Sequence, residues 1–250
     1  MEPSATSFSR VSAPENLHDR VTRTLALRVL EAERASRTLV FPNEAELCQQ
    51  LGVSRTVVRE AVKVLADKGM VQVRPRSGTR ARSRAEWNLL DPDILAWQAQ
   101  LRPDAQFLRD LCEVRLAIEP VASGFAALRA TAGEIAAIGR CLEERENPGD
   151  VVALDLQFHA AVVAACHNTL LEHLSATIRE PFRIALSYTS RLAASAELDL
   201  AAHRKLFDAI AHRDPLKARA ASDEIIGLAM LSVEQVIRSK AFQQEARRRS

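Results

Sequence analysis

The apolar positions of this chain fall at helical spacing almost throughout. Val21, Leu25, Leu27, Val29 and Leu30 set the first stripe. Pro42 stops any run from Leu39, because proline cannot continue a helix interior. Leu47 and Leu51 share the inner face of a helix predicted over 44–51. Gly52 suits a tight turn after it, where a positive φ costs glycine little. Ser54 is a good N-cap for a third helix, which turns Val57, Val58, Ala61, Val62 and Leu65 inward and runs to Lys68. Gly69 ends it. The period then shortens to that of a strand: Val71-Gln72-Val73, a turn at Arg76-Ser77-Gly78-Thr79, and a short returning strand. Helix, helix, tight turn, helix and hairpin predict a winged helix-turn-helix over residues 15–82.

Beyond that point the pattern is helical only. Helices are expected at 92–100, 105–129, 132–146, 150–166, 169–193, 197–212 and 214–239. Pro103, Pro148, Asn168 and Asp214-Pro215 punctuate them, and Pro181 falls inside one and is expected to kink it. The fold class is therefore mainly α: three helices and a β-hairpin wing, followed by an all-helical antiparallel bundle over 89–240. Residues 83–88 read as a hinge. Residues 1–14 read as a Ser- and Pro-containing disordered tail, and residues 241–250 as a basic one.

Composition sharpens the division. The chain of 250 residues carries a net charge of only +2, but unevenly. Residues 1–86 hold 15 Lys/Arg against 10 Asp/Glu, and the remainder holds 19 against 22. From Lys68 to Arg84 there are six basic side chains and no acid, the electrostatic mark of a phosphate-backbone partner. No apolar run approaches the roughly 20 residues of a membrane span. The opening residues carry no apolar core of a secretory signal, so a cytoplasmic protein with no membrane partner is expected. Cys48, Cys112, Cys141 and Cys166 have no zinc-finger or CxxC spacing and read as reduced thiols.

In the first unit the candidate chemistry lies at the start of the third helix. Ser54, Arg55 and Thr56 stand at its N-terminal end, with Arg59 one turn on. Arg55 and Arg59 are i,i+4 and share the face opposite Val58, Val62 and Leu65. An arginine there can grip the O6 and N7 of a guanine, or a phosphate. The wing carries Gly78 at its tip, with Arg74, Arg76 and Arg80 nearby. The stretch SRTVVREAVKVLADKGMVQVRPRSGT resembles the signature of the GntR family of bacterial regulators. That resemblance implies operator contacts by Arg55, Arg59 and Gly78, with Thr56 beside them, and homodimers on palindromic double-stranded DNA.

Three polar residues of the second unit fall on faces that should be core. Asp155 and His159 are i,i+4 on the stripe of Val151, Leu154, Phe158 and Val162, and His203 shares a stripe with Leu206, Phe207 and Ile210. A carboxylate and two imidazoles converging in a bundle suit a first-row metal, with Zn²⁺ a natural occupant. Each histidine alone would more often be a satisfied core or surface residue. Arg115 lies on the face of Leu108, Leu111 and Ile118, so it points inward and needs an anion. Glu119, four residues on, is one source; a ligand carboxylate is the other. EVRLAIEP, DLQFHAAVVAACHN and HRKLFDAIAHRD are similar to the FCD effector domain of the FadR-type GntR subfamily. That resemblance implies a metal held by Asp155, His159 and His203, and an effector carboxylate clamped by Arg115. Many members carry a fourth ligand, a histidine; the corresponding position here is Ile225, which cannot ligate. The chain also resembles regulators of sugar-acid catabolism through WNLLDPDILAW, EAELC and HRKLFDAI, which implies a repressor released by an aldonate or uronate. Two alternatives remain: a metal-dependent enzyme acting on a sugar acid, and a regulator that senses the metal itself. No nucleophile or general-base motif accompanies the triad, so the chain is not expected to be an enzyme.

Overall fold

The computed structural model describes residues 16–74, 78–101, 103–145, 150–189, 196–239 and 242. The expected tails at 1–14 and 241–250, Phe242 apart, lie outside these, as does Arg76. The chain forms two compact units that divide between Leu89 and Leu90.

In the first unit, α1 (Leu17–Arg34) starts where the Asn16 side chain accepts from the Asp19 N–H at 2.9 Å. It buries Val21, Leu25, Ala26, Val29 and Leu30, while Leu27 is only half-buried. α2 (Glu44–Leu51) opens with a capping box: Asn43 accepts from the Glu46 N–H, and Glu46 accepts from the Asn43 N–H. Gly52 takes φ +65° and turns the chain. α3 (Arg55–Asp67), capped by Ser54, packs Val58, Ala61 and Leu65 against α1. Each such large side chain contributes about 1.5–3 kcal/mol by leaving water, enough to fix the tilt of α3 without any polar contact.

β1 (Val71–Arg74) and β2 (Gly78–Ala81) pair antiparallel, Val71 opposite Ala81 and Arg74 opposite Gly78. Leu39–Phe41 runs along the other edge of β2: the Phe41 N–H donates to Thr79 and the Ala81 N–H donates to Leu39, each at 2.9 Å. This pairing was not expected from the sequence. Residues 83–88, read as a hinge, pack on this unit. The Asn88 N–H donates to the Lys68 carbonyl at 3.0 Å, and buried Trp87 donates its indole N–H to the Arg82 carbonyl. Gly69 takes φ +77°, and a Cβ there would meet the Glu86 carbonyl oxygen at 2.4 Å, so only glycine allows this close approach.

The second unit is helical: α4 (Pro92–Gln100), α5 (Ala105–Arg129), α6 (Ala132–Arg145), α7 (Val151–Ala164), α8 (Thr169–Thr189), α9 (Ala196–Ala211) and α10 (Pro215–Arg238). α10 lies along α5 and α9, and α7 between α6 and α8. One apolar cluster gathers Ile138, Phe158, Leu206, Ile210 and Ile225; another gathers Leu108, Leu111, Ile178, Phe182 and Val233. α8 runs unbroken through Pro181, and α5 through Pro120, each giving up one backbone hydrogen bond. Among the described residues, no helix is long and apolar enough to cross a membrane.

Candidate functional site

On the first unit, Ser54, Arg55, Thr56 and Arg59 are all exposed on one end and face of α3, away from the Val58–Leu65 stripe. The face exists because the capping serine starts the helix and the buried stripe fixes its rotation. Arg59 is not idle: its Nε donates to Glu44 Oε2 at 2.7 Å, and that hydrogen bond raises its pKa further. The pair is open to solvent, so it contributes little to stability. Gly78 takes φ +79° at the turn end of the wing, opposite Arg74, with nothing within 4 Å of where a Cβ would stand. Arg74 and Arg80 are exposed on the strands beside it.

In the second unit, Asp155 and His159 on α7 and His203 on α9 come together, all buried. One ligand atom from each lies within 4.8 Å of the others. The two Nε2 atoms are 3.3 Å apart, and Asp155 oxygens lie 3.6 Å from His159 Nε2 and 3.4 Å from His203 Nε2. The outer nitrogens explain this convergence. His203 Nδ1 is 2.7 Å from the Asp199 carbonyl, which only accepts, so Nδ1 carries the proton. His159 Nδ1 is 2.9 Å from Glu119 Oε2, with the same result. With Nδ1 engaged outward, both Nε2 atoms face inward, where Arg115 Nη2 lies 3.3 Å from that of His159 and Arg145 Nη1 lies 3.1 Å from that of His203. Donor chemistry, spacing and outer hydrogen bonds together fit a group that could hold a divalent metal ion.

Glu119, on α5, ties the cluster to Arg115. Arg115 is 1% exposed and grips Glu119 with two hydrogen bonds, 2.6 and 3.1 Å. Its Nη2 also lies 3.3 Å from His159 Nε2, and its guanidinium stacks 3.5 Å from the centroid of Phe182. Of the two anions weighed for Arg115, the structure supplies Glu119. Burial pushes the Glu119 carboxyl up, but Arg115 and His159 outweigh it and hold the carboxyl down at about 2. Burial likewise opposes the Asp155 charge, yet His159, His203 and Arg145 hold its carboxyl well below the usual range.

Arg145, at the end of α6, is the site residue that sequence reasoning missed. Its side chain is 5% exposed; Nη1 donates to Asp155 and lies 3.1 Å from His203 Nε2, and Nη2 donates to Asp199 Oδ2 at 2.5 Å. The signal was present: Ile138, Leu142 and Arg145 follow i, i+4, i+7, which puts Arg145 on the buried stripe. Ile225 is 2% exposed within the apolar cluster around Phe158 and supplies no ligand. Beside His159, a cavity of about 20 Å³ is lined by Glu119, Ser175, Ile178, Arg179 and Phe182 among others. That is room for about one water. A larger, open groove between α9 and α10, about 570 Å³, touches none of these residues and gathers no buried polar group.

Residues 20–80 match the family described as "Bacterial regulatory proteins, gntR family", and residues 110–228 match the "FCD domain". The galactonate operon transcriptional repressor of Escherichia coli (strain K12) is 32% identical over 204 residues, covering 80% of this chain and 89% of that protein. The chain belongs to the GntR family. The Uxu operon transcriptional regulator of the same strain is 35% identical over 145 residues, 54% of this chain and 52% of that one. The solved structure of Lar from Listeria monocytogenes has the same fold, with TM-score 0.50 and 15% identity over 90% of this chain and 99% of that one. The GntR match spans the winged helix, and the FCD match contains Arg115, Glu119, Arg145, Asp155, His159 and His203. This chain is thus a transcription regulator of the GntR type with an FCD domain, related to sugar-acid operon regulators. The relatives are transcription regulators and not enzymes, which sets the metal-dependent enzyme aside.

Proposed function

We propose that this GntR protein is a homodimeric repressor of sugar-acid catabolic genes, released from a palindromic operator when a carboxylate effector enters the cluster of the FCD domain. The observation that carries the reading is that cluster itself: six charged or ligating side chains nine-tenths buried or more, in a bundle that could have been wholly apolar. Burying so many charges is costly unless they are paired, and a bundle gains no stability from them that leucines would not give. Their presence in the core fits a ligand site.

In this reading Ser54, Arg55, Thr56 and Arg59 enter the major groove at the N-terminal end of α3, and Arg76 and Gly78 of the wing lie against the backbone or minor groove. Arg59 exchanges Glu44 for a base edge or phosphate. Asp155, His159 and His203 hold a divalent ion, Zn²⁺ by donor type, with Glu119 and the Asp199 carbonyl fixing the rings. Such an ion, when bound, supplies a positive centre for an acid's oxygens. Arg115 is the second positive centre, and a ligand carboxylate reaches it by competing with Glu119. A six-carbon acid does not fit a space for one water, so the effector selects a more open form of the pocket. The operon named for one relative is that of galactonate, which supports an aldonate as the first candidate to try.

The test is thermal. An acid at a hundred times its dissociation constant adds about 2.7 kcal/mol, which raises the melting temperature by roughly 5–10 °C in a unit of this size. Galactonate or a related aldonate produces that rise, and neutral galactose does not. A panel of aldonates and uronates that leaves the melting curve unchanged contradicts the effector class.

A further inference from the structure

The Asp155–His203 edge of the triad already carries a cation, the Arg145 guanidinium. Its Nη1 donates to Asp155 and lies 3.1 Å from His203 Nε2, so it uses the same carboxylate and the same imidazole lone pair that a metal would. A zinc-type ion sits about 2 Å from each of its donors. Bound to Asp155 and His203, it would lie almost in contact with that guanidinium, with nothing between them to screen like charges. The two cations cannot share this edge of the triad. Arg145 has a second partner, Asp199, whose side chain is 31% exposed and so stands at the rim. The guanidinium can keep Asp199 while giving up Asp155.

We propose that Arg145 is a built-in competitor for the metal: guanidinium and divalent ion alternate at the Asp155–His203 edge. The inference rests on the metal reading of the triad given above. Three consequences follow from the geometry. With Arg145 inward, Asp155 is neutralised and the bundle is complete without metal. With Arg145 at the rim, the triad accepts an ion that has three protein donors and a free side. The ion is held more weakly than the triad alone would hold it, because each binding event must first displace an ion pair. The site therefore loads and unloads over a range of metal concentration set by residue 145.

The full chain, stripped with a chelator, is titrated with Zn²⁺ by calorimetry and with Co²⁺ by visible absorption, beside Arg145→Met. Arg145→Met is expected to bind Zn²⁺ at least tenfold more tightly, and its Co²⁺ complex to show the strong absorption of a four-coordinate site. Its melting temperature in chelator falls below that of the parent and recovers when Zn²⁺ is added, whereas the parent gains less from the same Zn²⁺ because it binds the ion more weakly. If Arg145→Met does not fold, Arg145→Gln takes its place, keeping a hydrogen-bond donor for Asp155 without the charge. His159→Ala, expected to abolish binding in either background, shows that the ion is at the triad. Equal or weaker Zn²⁺ binding in the Arg145 variant overturns the competition and leaves the metal reading standing. No binding by parent or variant overturns both.

Discussion

Replacing Arg115 by methionine lowers the melting temperature of the FCD unit by about 10 °C or more. The substitution keeps the apolar stem against Phe182 but leaves the Glu119 carboxylate buried without its main counter-charge. An orphaned buried charge costs about 3–5 kcal/mol, and each kcal/mol moves the midpoint of a domain this size by roughly 2–4 °C. Adding Glu119→Gln removes the orphan while its amide oxygen still accepts from His159 Nδ1. Most of the loss is then recovered, since removing both charges of a buried pair is often near neutral. Scanning calorimetry of the two variants at neutral pH checks this. A double variant no more stable than the single one would show that the Arg115–Glu119 pair does not govern the site. The pH dependence has a definite sign. Glu119 falls from an ordinary 4.5 to about 2 in the folded chain, so the pair's contribution is full above 4.5 and is lost as pH falls toward 2.

The second large effect is on DNA. Arg59→Ala weakens operator binding by about 1–3 kcal/mol, roughly five- to 150-fold, and leaves the folding stability within about 1 kcal/mol of the parent because the pair with Glu44 is exposed. Anisotropy titrations at several salt concentrations distinguish its two roles. Loss confined to the operator means a base contact; uniform loss with a shallower salt dependence means a phosphate contact. The rise in melting temperature on adding effector is unchanged in this variant. Operator binding equal to the parent's would remove Arg59 from the recognition surface.

Much of this was legible in the chain because the elements are locally punctuated. α4, α5 and α7 begin at Asp91, Asp104 and Asp150, whose side chains cap them, and the expected spans 92–100 and 105–129 are those observed. The triad was legible because Asp155 and His159 interrupt an otherwise apolar stripe. What was not legible is non-local. The pairing of Leu39–Phe41 with β2 involves three residues brought back across α2 and α3, with Val40 half exposed. Residues 83–88 look like a linker in sequence, and their packing shows in the Asn88–Lys68 and Trp87–Arg82 hydrogen bonds and in a close approach to Gly69 that leaves no room for a Cβ. Arg145 sits in the run EERENPGD, which reads as a solvated helix end. Its burial depends on acids from α7 and α9 that no local pattern connects to it.

The same contrast explains why Arg115 could be placed inside but not assigned a partner. Its stripe fixes the direction of the side chain, while the choice between Glu119 and a ligand depends on how closely α5, α7 and α8 pack. In this structure they close over it, with Phe182 on one side and His159 on the other. In the proposed function, entry of an effector opens the helices around His159.

The measurement that bears most directly on this account is an anisotropy titration of the full chain against DNA from upstream of its own gene, at fixed salt, with and without galactonate and related acids. The account predicts tight binding, in the range of about 10⁻⁸ M or better for a specific operator, which one sugar acid weakens by roughly five- to 150-fold while neutral sugars leave it unchanged. Binding at that strength that no acid alters, or no binding above the non-specific level with or without the acids, would contradict it.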